Sequence, residues 1–268
     1  MPLPVISVAQ MREWEEHAWA VGVSEEAVMK LAGEAVARRA FDLENHSGSS
    51  TLFLVGKGKN GGDARIAAEL LRAEGVEGVQ LIELKDGTES LSDLSDVSLV
   101  VDGLFGIGLN RKLSSDWCNL IERLNEATQG LRVPVLSVDV PSGLDADTGQ
   151  PRGVAVRADY TLTVGAPKTG LIQEHASEFV GHLEVAADIG LRDAPPLGEL
   201  RWVDADDFKR FIPKRPASAH KGTFGHVGIV GGFPGKEGAA ILAARGALRA
   251  GAGLATWICP RGVTDLER

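Results

Sequence analysis

Three loops of this chain combine glycine with side chains that can bind ligands or move protons. The first reads Gly-Lys-Gly-Lys-Asn-Gly-Gly-Asp over residues 56–63, the second begins at Asp102, and the third contains Asp139 and Ser142. Carboxylates accept and donate protons at a bound substrate, and carboxylate, carboxamide and hydroxyl oxygens are the ligands that hard cations prefer. Each loop follows a short apolar run that has the character of a β-strand. Because open α/β sheets bind ligands at the carboxyl ends of their strands, we expect the three loops to form one site.

The first loop has the spacing of a dinucleotide-binding fingerprint. Gly56, Gly58 and Gly61 satisfy G-x-G-x-x-G, and Glu83 follows about 20 residues later, where such folds have the acid that binds ribose. A dehydrogenase is therefore one interpretation. Against it, Asp63 would put a carboxylate beside the helix N-terminus that a pyrophosphate needs. A tight turn that uses glycine for positive φ is a third interpretation.

These loops need a sheet and flanking helices to hold them, and the sequence indicates both. Ser7 and Gln10 have the spacing of a capping box before a helix over 8–20, and Ser24 with two glutamates starts a second helix that runs to about residue 40. Six apolar runs follow, at 51–55, 79–84, 97–101, 133–138, 160–164 and 182–186. Consecutive apolar positions are typical of parallel strands covered on both faces. The pattern predicts a three-layer α/β fold around a mainly parallel sheet.

A stretch rich in proline and glycine over 190–200 separates these elements from a smaller second unit. We place the domain division after residue 212, which gives units of residues 1–212 and 213–268. The second unit has an apolar run over 226–230, a glycine loop over 231–238, an alanine-rich helix over 239–250 and another apolar run over 254–258. So few elements cannot bury enough surface to be stable alone, and we interpret this unit as incomplete.

The composition excludes several classes of function. The 268 residues carry a net charge of -9, which repels nucleic acid and anionic membranes. No run approaches the ~20 apolar residues of a transmembrane helix, and the N-terminus lacks the pattern of a signal peptide. Cys118 and Cys259 are the only cysteines and lie far apart, so we expect no disulfide framework and a cytoplasmic protein. We therefore expect neither a nucleic-acid partner nor a membrane partner.

Five longer motifs follow one another along the first unit. They begin at Ser7, Lys59, Val101, Val138 and Gly165 and read Ser-Val-Ala-Gln-Met-Arg-Glu, Lys-Asn-Gly-Gly-Asp, Val-Asp-Gly-Leu-Phe-Gly-Ile-Gly-Leu, Val-Asp-Val-Pro-Ser-Gly-Leu-Asp and Gly-Ala-Pro-Lys-Thr-Gly-Leu. In this order they resemble the NAD(P)H-hydrate epimerase domain, over about residues 5–212. The segments 221–226, 231–232, 238–242 and 250–254 resemble the opening of the ADP-dependent NAD(P)H-hydrate dehydratase domain. In bacteria the two domains occur fused as one bifunctional enzyme of nicotinamide repair.

The resemblance implies a Rossmann-like epimerase domain followed by a truncated ribokinase-like unit. The implied substrates are NADH and NADPH hydrated at C6 of the nicotinamide ring: the epimerase interconverts the R and S hydrates, and the dehydratase uses ADP or ATP to remove water from the S form. By the same resemblance, Asp139 is the acid/base at the substrate, and Asn60, Asp102 and Ser142 bind a potassium ion. The implied substrate contacts are Lys59, Asn60, Gly61, Gly62, Asp63, Gly106, Ile107, Gly108, Leu109, Asn110, Arg111, Lys112, Trp117, Asp139 and Ala239.

Several positions depart from the family pattern and keep alternatives open. Lys59 replaces an asparagine, Ala64 replaces a glycine, and Asn110 stands where some relatives have lysine. Each change weakens one expected contact, so a catalytically silent dinucleotide-binding module stays an alternative beside the dehydrogenase. Lys168 either lines the site or is a surface lysine. The glycine-rich segment with which the dehydratase binds its nucleotide is not found before Arg268, so we expect no dehydration by this chain alone. The apolar face of the first helix suits a homodimer or a higher homo-oligomer.

Overall fold

The computed structural model describes residues 3–44, 50–89, 91, 93–191, 200–211, 215–233 and 235–260. The chain divides into two compact units, Met1–Val203 and Asp204–Arg268. The predicted division after residue 212 and most of the predicted connecting stretch 190–200 fall outside the described ranges.

The helices and strands of the first unit are β1 (Leu3–Pro4), α1 (Val8–Ala20), α2 (Glu25–Leu43), β2 (Ser50–Val55), α3 (Lys59–Ala73), β3 (Val79–Glu83), β4 (Val97–Gly103), α4 (Ser115–Leu131), β5 (Val135–Val138), β6 (Tyr160–Val164), α5 (Ser177–Val180), β7 (His182–Ala186) and β8 (Arg201–Trp202). Those of the second unit are α6 (Ala205–Phe208), β9 (His226–Val230), α7 (Glu237–Ala250) and β10 (Leu254–Ile258).

The centre of the first unit is a six-stranded sheet in the order β3-β2-β4-β5-β6-β7. Every pairing in it is parallel. β2 is buried along its whole length and β4 is nearly so, which explains why these strands are largely apolar at consecutive positions. Outside this sheet, β1 pairs with β8 in an antiparallel ladder. The predicted α/β fold with a mainly parallel sheet is confirmed.

Helices cover both faces of the sheet. On one face, Phe53 of β2 packs in a core with Val36 of α2 and Leu71 of α3. On the other face, Leu52 packs with Leu120 of α4. Adjacent residues of a strand point to opposite faces, so β2 anchors both helical layers. The three-layer, Rossmann-like arrangement expected from the sequence is therefore present.

The predicted capping box at the start of α1 is confirmed. The Ser7 hydroxyl accepts a hydrogen bond from the Gln10 N–H at 3.2 Å, and the Gln10 side chain accepts one from the Ser7 N–H at 2.8 Å. The next N–H, that of Val8, donates to Asp147 Oδ1 at 2.7 Å. Asp147 belongs to the loop after β5, so this contact joins the start of α1 to that loop.

The glycine-rich segment 56–63 is not a loop throughout, because α3 already begins at Lys59. Gly58 is the N-cap residue, and no side chain caps this helix. A Cβ on Gly61 would lie 2.0 Å from the Gly56 carbonyl oxygen, and a Cβ on Gly56 would lie 2.1 Å from the Leu104 carbonyl oxygen. Two of the three fingerprint glycines therefore allow close packing of the turn after β2 against its neighbours. In the first turn of α3, Gly61 lies directly against backbone, whereas Gly62 lies against the Met29 side chain.

In the second unit, β9 and β10 pair in parallel and are connected by α7. Both strands match the predicted runs 226–230 and 254–258, and the helix begins at Glu237 rather than at residue 239. Within the described part of this unit, Ala240 is the one buried hydrophobic residue. Larger apolar side chains such as Val230 and Leu242 are exposed. A single β-α-β unit of this kind has little core of its own.

Candidate functional site

A cavity of about 840 Å³ opens at the carboxyl ends of the sheet strands. Its walls come from the turns after β2, β4, β5 and β6 and from the first three helices. Loops that are distant in the sequence meet here because parallel strands end at the same edge of a sheet, as their positions after strands predict. The predicted site residues that line the cavity are Lys59, Asn60, Asp63, Gly106, Ile107, Gly108, Leu109, Asn110, Arg111 and Asp139.

Asp139 follows β5 with a left-handed backbone (φ 62°), a conformation that costs energy in residues other than glycine. Its Oδ1 accepts hydrogen bonds from the Val164 N–H at 3.1 Å and from the Thr163 hydroxyl at 3.2 Å. The Lys168 ammonium group lies 2.5 Å from the same oxygen. Lys168 is only 1% exposed and also donates to the Val164 carbonyl at 2.7 Å. No described residue hydrogen-bonds to Asp139 Oδ2, so this oxygen is the one available to a ligand.

Asp102 and Ser142 form a buried pair beside the cavity. Oδ2 of Asp102 accepts hydrogen bonds from the Ser142 N–H and from the Ser137 hydroxyl, each at 2.9 Å. Oδ1 accepts a hydrogen bond from the Ser142 hydroxyl at 2.5 Å. Burial raises the pKa of Asp102, and the hydrogen bonds from Ser142 and Ser137 oppose that rise. The pair fixes the loop after β5 to the end of β4.

Asn60 connects this pair to the cavity. Its Nδ2 donates to the Phe105 carbonyl oxygen at 3.0 Å, and the Phe105 N–H donates to the Ser142 hydroxyl at 2.8 Å. Asn60 is buried, yet its Oδ1 has no hydrogen-bond partner among the described residues. A buried oxygen without a partner is costly, and a bound cation would relieve that cost. The three predicted potassium ligands thus belong to one hydrogen-bonded network of hard oxygen atoms.

Asp63 lies near the N-terminus of α3 and lines the same cavity. The residue is 8% exposed, and its Oδ1 is buried with no hydrogen-bond partner in the described part of the chain. Burial, and then the negative charges of Asp139 and Glu15, raise the pKa of Asp63 to about 8. This rise in pKa favours the neutral form of Asp63 at neutral pH. A protonated Asp63 would not repel an anionic ligand, which weakens the objection to phosphate at this helix N-terminus.

The first two helices form a wall of the cavity that the sequence did not predict. Met11 and Trp19 of α1 and Met29 of α2 line it. Glu15 of α1 lines it too, and burial raises the pKa of this carboxyl group. The apolar faces of these helices are visible in the sequence, but the surface that each one covers depends on the tertiary fold. Lys168, whose position the sequence left open, lines the cavity as the buried partner of Asp139.

The structure does not place five of the predicted substrate contacts on this cavity. Gly61 and Gly62 lie within α3, where the lack of a Cβ lets neighbouring groups approach closely. Trp117 packs edge-on against a phenylalanine in the core beside α4. Lys112 is exposed on the loop after β4, and Ala239 is exposed on α7 of the second unit. A motif match alone does not separate residues that line a cavity from residues that support its walls.

Comparison with known proteins gives a family match and several relatives. The chain matches the family of the YjeF-related protein N-terminus over residues 25–90 and 78–170. It is 33% identical over 271 residues to the bifunctional NAD(P)H-hydrate repair enzyme Nnr of Coxiella burnetii, an alignment that covers 92% of this chain and 54% of that protein. It is 32% identical over 293 residues to the bifunctional NAD(P)H-hydrate repair enzyme Nnr of Synechocystis sp., covering 98% of this chain and 54% of that protein. The chain thus spans about half the length of these curated relatives.

The fold is similar to that of yeast ynu0, whose crystal structure matches with a TM-score of 0.54 over 63% of this chain and 83% of that chain, at 22% sequence identity. Among the helices that the structure describes, none has the length and apolar character needed to cross a bilayer. The two matched family segments together run from residue 25 to residue 170, more than half of the 268 residues. The chain therefore belongs to the family of the YjeF-related protein N-terminus.

Proposed function

We propose that the first unit of this chain is an NAD(P)H-hydrate epimerase, which interconverts the R and S hydrates of NADH and NADPH. The relatives that it matches are bifunctional NAD(P)H-hydrate repair enzymes. The observation that carries the proposal is the geometry of Asp139, which lines the cavity and is ion-paired with Lys168 through Oδ1. Its Oδ2 accepts no hydrogen bond from a described residue. An oriented carboxylate of this kind suits proton transfer at a bound substrate.

The reaction requires one C–O bond to break and form again. In the hydrate, C6 of the nicotinamide ring carries the hydroxyl group and is bonded to N1, so it is a hemiaminal carbon. Once the hydroxyl group is protonated, the N1 lone pair helps it to leave as water, and water then returns to either face of the planar cation. Asp139 exchanges the proton with this water through Oδ2, and Lys168 keeps the carboxylate oriented.

A hydrated dinucleotide also carries a pyrophosphate, for which the cavity offers cations. Lys57, Lys59 and Arg111 line the cavity and are exposed. The N-terminus of α3 has no side-chain cap and borders the cavity at Gly58, and such helix ends bind phosphate groups. The cavity volume of about 840 Å³ is within the usual range for small-molecule sites. These features support a pose with the phosphates near the helix end and the ring towards Asp139.

A potassium ion fits the residues beside the cavity. Asn60, Asp102 and Ser142 contribute amide, carboxylate and hydroxyl oxygens, and the Asn60 Oδ1 lacks a partner in the described structure. These three residues would hold the ion. When bound, the ion supplies positive charge next to the acidic groups of the site. Through the Phe105 backbone the same residues orient the loop after β4, which lines the cavity.

The dehydrogenase interpretation has less support. Glu83, the acid that would bind ribose, is exposed, pairs with Arg65 at 2.7 Å and does not line the cavity. Gly56 and Gly61 are explained by close backbone packing. The silent binding module differs from the epimerase in catalysis alone, because it would bind the hydrate without epimer exchange.

The test follows purified R-hydrate of NADH by chromatography, with and without the full chain. We expect the chain to speed the approach to the R/S equilibrium without net oxidation. Asp139→Asn should abolish this acceleration and still bind the hydrate in calorimetry, and full activity in that variant would refute the role of Asp139.

Added ADP should restore no NADH, since the second unit has little core of its own. Restored NADH would contradict this last part.

A further inference from the structure

Asp63 is a buried carboxyl group of the cavity to which the reaction above assigns no part. It is 8% exposed and lines the cavity together with Asp139 and Lys168. Unlike Asp139, it has no ion-pair partner among the described residues, and its Oδ1 is buried without a hydrogen bond. Leaving a buried oxygen unpaired costs free energy, and such exceptions in a cleft mark functional positions.

The surroundings of Asp63 favour its neutral form. The groups that act on it are Glu15 of α1, Lys59 of α3, Asp139 after β5 and Lys168 after β6. Burial raises the pKa of Asp63 most, Asp139 and Glu15 raise it further, the two lysines lower it, and the result is about 8. Asp139 instead has the Lys168 ammonium group at 2.5 Å. One cavity thus holds a carboxyl group whose surroundings raise its pKa and another that is ion-paired with Lys168, a combination that suits an acid and a base.

We propose that Asp63 is the general acid of the epimerase and Asp139 its partner base, an inference that rests on the function proposed above. A hemiaminal carbon is the nitrogen counterpart of a hemiacetal carbon, and it loses its oxygen with help from the neighbouring heteroatom as a glycoside does. In glycosidases one neutral carboxyl group protonates the departing oxygen and a carboxylate acts from the other side. The strands that precede the two residues, β2 and β5, are separated by β4 alone. Both residues line the same cavity, and the charge of Asp139 acts on Asp63, so a ring bound in this cavity would lie within reach of both carboxyl groups.

The first step breaks the C–O bond. The Asp63 proton passes to the C6 hydroxyl oxygen, the C6–O electron pair stays on that oxygen, and water leaves as the N1 lone pair forms a C6=N1 double bond. In the second step, water adds to C6 from the side of Asp139, the C6=N1 electron pair returns to N1, and the proton of the added water passes to Asp139. Proton exchange with solvent restores both groups, and in the opposite direction they exchange roles.

The test compares Asp63→Asn with Glu69→Gln, which changes an exposed carboxyl group on the same helix. We expect Asp63→Asn to lower kcat by at least about 100-fold, the usual contribution of a general acid, and to bind the hydrate as the wild type does. Wild-type kcat/KM, which reports the groups of the free enzyme, should fall as the pH rises through about 8. This alkaline decline should be missing from the residual activity of Asp63→Asn and retained in Glu69→Gln.

Two further measurements do not depend on the size of the rate. Infrared spectra of the ligand-free protein should show the C=O band of a protonated carboxyl group that is lost as the pH rises through about 8 and is absent from Asp63→Asn. In water enriched in heavy oxygen, each inversion by the wild type should bring one solvent oxygen to C6. Retention of the original oxygen would overturn the inference, because the C–O bond would then not break.

The outcomes separate this inference from the proposed function. If the wild type exchanges the epimers and Asp63→Asn keeps the rate and the alkaline decline, Asp63 is not the acid and the epimerase assignment stands. If the wild type does not accelerate exchange at all, the epimerase assignment fails and this inference fails with it. Circular dichroism of each variant shows that a lost rate does not come from a lost fold.

Discussion

The Lys168 ammonium nitrogen lies 2.5 Å from Asp139 Oδ1, although the whole of β6 separates the two residues in the sequence. Lys168 is 1% exposed, so protein groups rather than water must compensate its charge. The Val164 carbonyl and the Thr163 hydroxyl complete its contacts at 2.7 and 3.1 Å. A buried ion pair contributes little net stability, but removal of one partner leaves the other charge buried and unpaired.

Lys168→Met should therefore destabilise the protein more than the small change in volume suggests. Methionine keeps the apolar stem but removes the cation beside Asp139, so we expect the free energy of unfolding to fall by about 3–5 kcal/mol. Denaturant titration measures this change. Lys168→Met combined with Asp139→Asn removes both charges and should recover most of the loss, whereas simple additivity of the two changes would contradict the pairing.

Asp63 should make the fold less stable as the solution becomes alkaline. Its pKa rises from an ordinary value of 3.8 to about 8 on folding, so between these values the folded protein holds a proton that the unfolded chain has released. The stability that this proton contributes decreases as the pH rises and is lost above about 8. The melting temperature of Asp63→Asn should thus change less than that of the wild type from about pH 6 to about pH 9. Parallel pH curves for the two proteins would argue against a buried proton at this position.

Potassium should stabilise the first unit through Asn60. Exchange of choline chloride for potassium chloride at equal ionic strength should raise the melting temperature, because a bound ion gives the buried Asn60 Oδ1 a partner. Asn60→Ala should lose this shift. Asn119→Ala, at an exposed position of α4, serves as the control and should keep it. A shift of equal size in both variants would identify a general salt effect instead.

Two glycines of the fingerprint should respond differently to alanine. A Cβ at Gly61 would lie 2.0 Å from the Gly56 carbonyl oxygen, whereas at Gly58 no atom lies within 4 Å of the added Cβ. Gly61→Ala should lower the free energy of unfolding by about 2–3 kcal/mol through overpacking. Gly58→Ala, at the N-cap, should cost about 1 kcal/mol or less. If Gly58→Ala instead abolished hydrate binding at unchanged stability, the pose with the phosphates at this helix end would gain support.

Local patterns in the sequence predict most elements of this fold. The Ser7 and Gln10 capping box and the strands at 160–164, 182–186 and 226–230 are observed with the predicted bounds. Each depends on residues that are close together in the chain. The order of the strands in the sheet depends on crossover connections, so the composition of single runs does not determine it.

The contacts of the site could be predicted only in part. The turns after strands identify Asn60, Asp102, Asp139 and Ser142 by type and position, but their hydrogen bonds join different strands. Lys168 has the appearance of a surface loop residue in the sequence. Its burial cannot be predicted from neighbouring residues because it depends on contacts with β6 and with Asp139. The neutral form of Asp63 depends on burial and on charges from other elements. Local sequence patterns contain none of this information.

The antiparallel ladder between β1 and β8 sets Leu3 opposite Trp202. The two described ends of the first unit therefore lie side by side, so a short linker would be enough to join them. Such a unit suits circular permutation, with the old termini spliced and new ones opened in an exposed turn. It also suits insertion as a cassette into a surface turn of a host protein, since the host backbone would enter and leave at neighbouring points.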